Sequence, residues 1–202
     1  LGDVYKRQSY ISRLLGRGDR ETADRAASTA LYSSIFVGAA VILCAVIFLK
    51  PLLKCLGATD SILPYAVTYA GIYVVSSIFN VFNVTMNNIV TSEGAARTTM
   101  CVLLTGAAFN MVLDPVFIYV LKLGVAGAAI ATAISQAVST LIYLYYVISG
   151  RSMFSFRFRN CCFSNEIMSE ILKIGIPTLA FQLLPSLSIT MINMQAKPYG
   201  DS

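Results

Sequence analysis

The chain has 202 residues, 56% of them hydrophobic and only 12% charged, with a mean hydropathy of +0.70. Water-soluble domains carry about 25% charged residues, so this deficit excludes an ordinary soluble fold and makes lipid the main solvent. The net charge of +5, which in a soluble protein would point to nucleic acid, here reads as a signal for orientation in a membrane, and no nucleic-acid partner is expected.

Taken in chain order, Leu1 opens a stretch (Leu-Gly-Asp-Val-Tyr-Lys-Arg-Gln) that fits neither a signal peptide nor the pattern behind it. Residues 1–8 are read as a non-native scar. Residues 9–16 read as the tail of a preceding helix, and Gly16-Arg17-Gly18-Asp19 as a turn. Four stretches then contain no Asp, Glu, Lys or Arg: between Arg25 and Lys50, Asp60 and Glu93, Lys122 and Arg151, and Lys173 and Lys197. A fifth, between Arg97 and Lys122, is interrupted only by Asp114. A hydrocarbon core needs roughly 20 apolar residues of helix, and backbone groups in lipid must be satisfied within the segment. The sequence therefore predicts an all-α polytopic membrane protein with spans at about 29–49, 62–88, 98–121, 124–148 and 174–196. Lys50-Pro51 is predicted to end the first span, Pro64 to open the second, Ser92-Glu93-Gly94 to form a turn, and Lys122-Leu123-Gly124 to force an antiparallel hairpin. Residues 150–173 form the longest connection, in which Phe154, Phe156 and Phe158 alternating with Arg157 and Arg159 suggest a segment lying at the membrane surface.

The loops alternate in charge. Arg13, Arg17, Arg20, Arg25, Arg97, Arg151, Arg157, Arg159 and Lys173 fall on one side, and only Lys50, Lys54 and Lys122 on the other. The positive-inside rule makes the first side cytoplasmic, with loops 9–28, 89–97 and 149–173 inside a cell membrane, most simply a bacterial plasma membrane. The five cysteines, Cys44, Cys55, Cys101, Cys161 and Cys162, contain no CxxC pair. They read as packed thiols rather than disulfide or metal ligands. The chain has no His and no Trp, which removes histidine catalysis and histidine proton relays from it.

Asp114 is the residue of greatest interest. An ionisable group in a spanning helix costs about 2.5–3.5 kcal/mol on insertion scales and persists only where something compensates. Asn110 lies four residues earlier on the same helical face. Pro115 follows and removes a backbone donor, so Asp114 could instead cap a half-helix beginning there; the two roles are compatible. At a rise of 1.5 Å per residue, Asp114 lies roughly 10 Å below one end of its helix and Thr132 roughly 12 Å below the same end of the next, so the two can sit level. Asn110 is similarly level with Ser135 and Gln136. Gly124, Gly127, Ala128 and Ala131 would let these helices approach closely. Carboxylate, amide and hydroxyl oxygens at one depth suit a small hard cation such as Na⁺, and the same group could hold a proton. No other cofactor is expected.

The second span carries Tyr69, Tyr73, Ser76, Asn80, Asn83 and Asn87 at steps of four and three, hence on one face. In lipid such a stripe must line a cavity or make interhelical hydrogen bonds. With Ser135 and Gln136, and with Gln182 on the last span, it is read as cavity lining.

Glu93-Gly94-Ala95-Ala96-Arg97, then Asn110 with Asp114-Pro115, then the run from Gly124 to Thr132, resemble the MATE multidrug and toxin extrusion transporters; Gly16-x-Gly18-Asp19 with Ala23 and Gly175-Ile176-Pro177 fit the same pattern. The resemblance covers about residues 9–201 and implies two six-helix lobes. By that likeness residues 9–150 hold the end of helix 2 and helices 3–6 of the N-terminal lobe. Residues 151–173 are the cytoplasmic inter-lobe linker, and 174–202 start the C-terminal lobe with helix 7. The remainder of the same chain would be the partner that completes it, and the slice alone is not expected to transport.

The resemblance further implies export of cationic or amphipathic drugs in exchange for protons or sodium ions, by an antiporter rather than an enzyme. It places the family's Asn, Asp and Thr cation ligands at Asn110, Asp114 and Thr132. The Asp that the family carries on helix 1 has no counterpart in these residues. Three alternatives compete. A lipid-linked oligosaccharide flippase of the related superfamily should line its cavity with Lys or Arg, and no span contains one. An intramembrane enzyme needs a second catalytic group near Asp114, and a structural membrane subunit has no need of the polar stripe.

Overall fold

The computed structural model describes residues 10–56, 58, 62–156, 183–192 and 195, with the backbone alone at Tyr10 and Arg13. The elements are α1 (Tyr10–Gly16), α2 (Arg20–Ile47), α3 (Leu49–Cys55), α4 (Leu63–Ser92), α5 (Ala96–Pro115), a π-helical segment (Val116–Val120) and α6 (Gly124–Ile148). A short apolar helix, α7, covers Leu183–Ile192. Among the described residues four helices are long and apolar enough to cross a membrane: α2, α4, α5 continued through the π segment, and α6. They correspond to the first four predicted spans. The fifth lies largely outside the described residues, with α7 inside it.

Local chemistry explains where the helices start and stop. α2 begins nine residues before the apolar stretch that announced it, because Asp19 caps it by accepting from the Thr22 N–H at 3.1 Å. Hydrogen bonds from the Thr22 side chain and N–H hold the Asp19 pKa below its usual range. Lys50-Pro51 was expected to end the first span. The long helix instead stops at Ile47, and a second helix re-forms at Leu49 with Pro51 in its first turn. A proline fits there because first-turn N–H groups have no partner within the helix. Gly94 and Gly150, at φ +85° and +70°, make the turns after α4 and α6 in a conformation that L side chains rarely adopt.

The apolar core sits at one end of the bundle. It joins Ile11 and Leu14 of α1, Ala23, Ala26, Ala27 and Leu31 of α2, Met86, Ile89 and Val90 of α4, Val102 of α5, and Tyr143 and Tyr146 of α6. This is also the end that carries exposed Arg17, Arg20, Arg25, Arg97 and Arg151. Small side chains from α2 pack without exposure and let the helix axes come close, as packing within lipid requires. Elsewhere large apolar residues such as Phe36, Leu103, Met111 and Leu141 remain uncovered, as a lipid-facing surface should. Phe154, first in the stretch expected at the membrane surface, is 5% exposed and belongs to the core. Phe158 lies outside the described residues.

Candidate cation-binding site and cleft

Two close backbone approaches set the level of the candidate site. A Cβ on Gly106 of α5 would stand 2.5 Å from Ser139 Oγ, and a Cβ on Gly127 of α6 would stand 2.8 Å from the Phe117 carbonyl oxygen. The first contact lies one turn before Asn110 and the second just beyond Asp114, so α5 and α6 are clamped on both sides of the pair. Ala131 is fully buried in the same region. Gly124, expected to share this role, has nothing within 4 Å and a φ of +55°; it serves the hairpin turn instead.

Between the clamps the Asn110 Nδ2 group donates to Asp114 Oδ1 at 3.2 Å and to Thr132 Oγ1 at 3.4 Å. The Thr132 hydroxyl donates to the Ala128 carbonyl at 3.0 Å, which leaves its lone pairs facing Asn110. All three residues are half-buried. The amide thus bridges the two helices and presents its NH₂ to both oxygens. Turning that amide over would set Asn110 Oδ1 beside the Asp114 carboxylate and Thr132 Oγ1, three hard oxygen donors of the kind that small cations take. Among the described residues no three His, Cys, Asp or Glu side chains cluster as a metal site would need.

The alternative reading of Asp114 as the cap of a half-helix does not fit the backbone. α5 continues through Pro115 into the π segment, where Leu121 N–H donates to the Val116 carbonyl at 3.0 Å, and no side chain caps that segment. The widened turn absorbs the donor that Pro115 lacks.

The polar stripe on α4 divides into two parts. Tyr73, Ser76 and Asn80 line a small open cleft together with Ser77, Thr132 and Gln136. Tyr69 stacks on Tyr73 with ring centroids 6.0 Å apart and stands above that lining. Asn83 and Asn87 make interhelical hydrogen bonds. Asn83 Nδ2 donates to the Gln136 carbonyl and to Gln136 Oε1 at 2.9 and 2.8 Å, and its Oδ1 accepts from Thr140 at 3.0 Å. Asn87 Nδ2 donates to the Tyr143 hydroxyl at 3.2 Å. Ser135 is likewise turned away from the cleft, buried at the α5–α6 contact with its hydroxyl on the Ala131 carbonyl. Gln182 lies outside the described residues. Asn83→Ala should remove its bonds to Gln136 and Thr140 and lower stability by roughly 1–2 kcal/mol. Thermal unfolding in detergent measures this, and an unchanged midpoint would show that these bonds do not hold α4 to α6.

Comparison with known proteins identifies the family. The sequence profile of the MatE family matches residues 8–116. The chain belongs to the MATE family of membrane transporters. It is similar to the multidrug export protein MepA of Staphylococcus aureus, at 30% identity over 193 residues, covering 96% of this chain and 43% of MepA. It also overlays on the inward-facing conformation of a multidrug resistance MATE transporter of the MOP superfamily. There the TM-score is 0.88 at 33% identity, with 94% of this chain and 43% of the other covered. On an outward-facing conformation the TM-score is 0.79 at 33% identity, with coverage of 90% and 39%. The chain therefore spans somewhat less than half the length of the relatives it matches.

One feature of this MATE chain escaped sequence reasoning. Glu93, read as a turn residue and as part of the family motif but given no bonding role, accepts from the Tyr146 hydroxyl at 3.1 Å, the Ser152 hydroxyl at 2.5 Å and the Met153 N–H at 3.1 Å. Burial pushes its pKa above the usual carboxylate range, against the opposing pull of those donors. Its partners lie 53 to 60 positions away along the chain, so no local spacing could have announced them.

Proposed function

We propose that this chain is the ion-coupling part of a secondary transporter that exports cationic or amphipathic drugs in exchange for protons or sodium ions. The observation that carries the reading is the Asn110 bridge, which joins a carboxylate on α5 to a hydroxyl on α6 within the membrane-spanning bundle. Loading a cation, or a proton on Asp114, changes which hydrogen bonds the bridge can make. It therefore favours one arrangement of α5 against α6 over another, and alternating access follows from that bias. The cleft lined by Tyr73, Asn80 and Gln136 reaches Thr132, so a substrate in the cleft and an ion at Asp114 would share one wall. The charge asymmetry of the loops supports the basic end as the cytoplasmic one. Names of relatives such as MepA support drugs as the cargo.

The test is gradient-driven flux in liposomes holding the complete transporter. A cationic fluorescent drug should move against its gradient when either a pH or a Na⁺ gradient is imposed, and stop when that gradient is collapsed. Drug movement indifferent to both gradients would overturn the antiport reading.

A further inference from the structure

α6 ends at Ile148, and Gly150 turns the chain back across the basic end of the bundle. The next residues are fastened by donors of alternating kind. The Ser152 hydroxyl and Met153 N–H converge on one oxygen of Glu93 while the Tyr146 hydroxyl donates to the other. Phe154 N–H closes a small turn on Ser152 Oγ at 3.2 Å. Ser155 then donates through both its N–H and its hydroxyl to the two oxygens of Asp24, each at 2.7 Å. The Tyr32 hydroxyl donates to the Phe156 carbonyl at 2.9 Å. Between the two carboxylates the Phe154 ring enters the core and meets Phe156 edge to face, with centroids 6.1 Å apart. Five residues thus tie the start of α2, the end of α4 and the end of α6 to one another.

We propose that Glu93 and Asp24 are the two anchors of a clasp that holds residues 152–156 on the basic end of the bundle, so that the chain leaving α6 moves with this lobe as one body. Glu93 is then a positioning residue: it touches neither drug nor ion, and it sets where the connection toward the rest of the transporter departs. The clasp is also joined to the candidate ion site by a continuous helix. α6 carries both Thr132 and Tyr146, fourteen residues or about 21 Å apart. A shift of α6 at Thr132 is therefore delivered to Glu93 and to the segment it holds.

Hydrogen exchange of the peptide covering residues 151–156, measured on the complete transporter in nanodiscs, tests the clasp without reference to drug movement. Glu93→Ala removes three acceptor contacts, and Asp24→Ala removes two. Each should speed exchange of that peptide by about tenfold, as loss of hydrogen bonds to a charged acceptor implies. Glu93→Gln should exchange much closer to the native rate than Glu93→Ala, because its oxygen still accepts from Ser152 and Met153 while its NH₂ can donate to the Tyr146 oxygen. In transport, Glu93→Ala and Asp24→Ala should slow drug flux with drug affinity unchanged, and Glu93→Gln should restore it. Native exchange in both alanine variants would overturn the clasp. Native flux through a demonstrably released segment would overturn its positioning role. Should Glu93→Ala fail to fold, Asp24→Ala decides the matter alone.

Discussion

Asp114→Asn in the complete transporter is expected to lower gradient-driven drug flux by about 100-fold while leaving expression and insertion intact, the scale of a coupling free energy of a few kcal/mol. Asparagine has nearly the same shape, and its Oδ1 can still accept from Asn110, so the bridge from α5 to α6 survives. What is lost is the ability to carry a charge or titrate a proton. Insertion becomes easier, because the cost of about 2.5–3.5 kcal/mol for an ionisable group in lipid disappears. A folded protein with failed coupling is the expected signature. Flux that keeps its native dependence on the imposed gradient would remove Asp114 from the mechanism, however well placed it is.

Gly127→Ala is expected to destabilise the lobe by about 1–3 kcal/mol, the usual penalty for overpacking. The added methyl would meet the Phe117 carbonyl oxygen at 2.8 Å and its carbon at 2.9 Å. Both are backbone atoms and cannot rotate away. Either α6 backs off the π segment or that segment rewinds, and each movement separates Thr132 from Asn110. Gly106→Ala is the natural control. Its methyl would meet Ser139 Oγ at 2.5 Å, but a hydroxyl can turn to another rotamer. Thermal unfolding in detergent should therefore rank Gly127→Ala well below Gly106→Ala. The reverse order would mean that the close approach at Phe117 does not hold the helices in register.

The spans were legible because lipid imposes one rule on every residue, and the long uncharged stretches obey it. The level of Asn110, Asp114 and Thr132 was legible too, since helix rise fixes depth from a common turn. Facing was less so. Asn83 and Asn87 share a stripe with Ser76 and Asn80, yet only the position of α6 decides which side chains meet Gln136 and Tyr143 and which meet the cleft. Periodicity gives a face but not its neighbour. Pro51 was read as a stop and Pro115 as a weak point inside its span, whereas a fresh first turn accommodates one and a widened turn the other. Glu93 was invisible for a different reason: its role is made by residues more than fifty positions away.

The uneven distribution of the core has a mechanical meaning. Among the described residues no buried apolar side chain of α2 lies beyond Leu31, and none of α4 precedes Met86. α2 and α4 bury their apolar side chains against each other at the basic end, while Gly127 against Phe117 keeps α5 and α6 in contact toward the other. In lipid, parting two apolar surfaces exposes them to a solvent as oily as themselves, so no hydrophobic force resists the movement. The far halves of α2 and α4 can therefore part from one another more easily than the knotted end can.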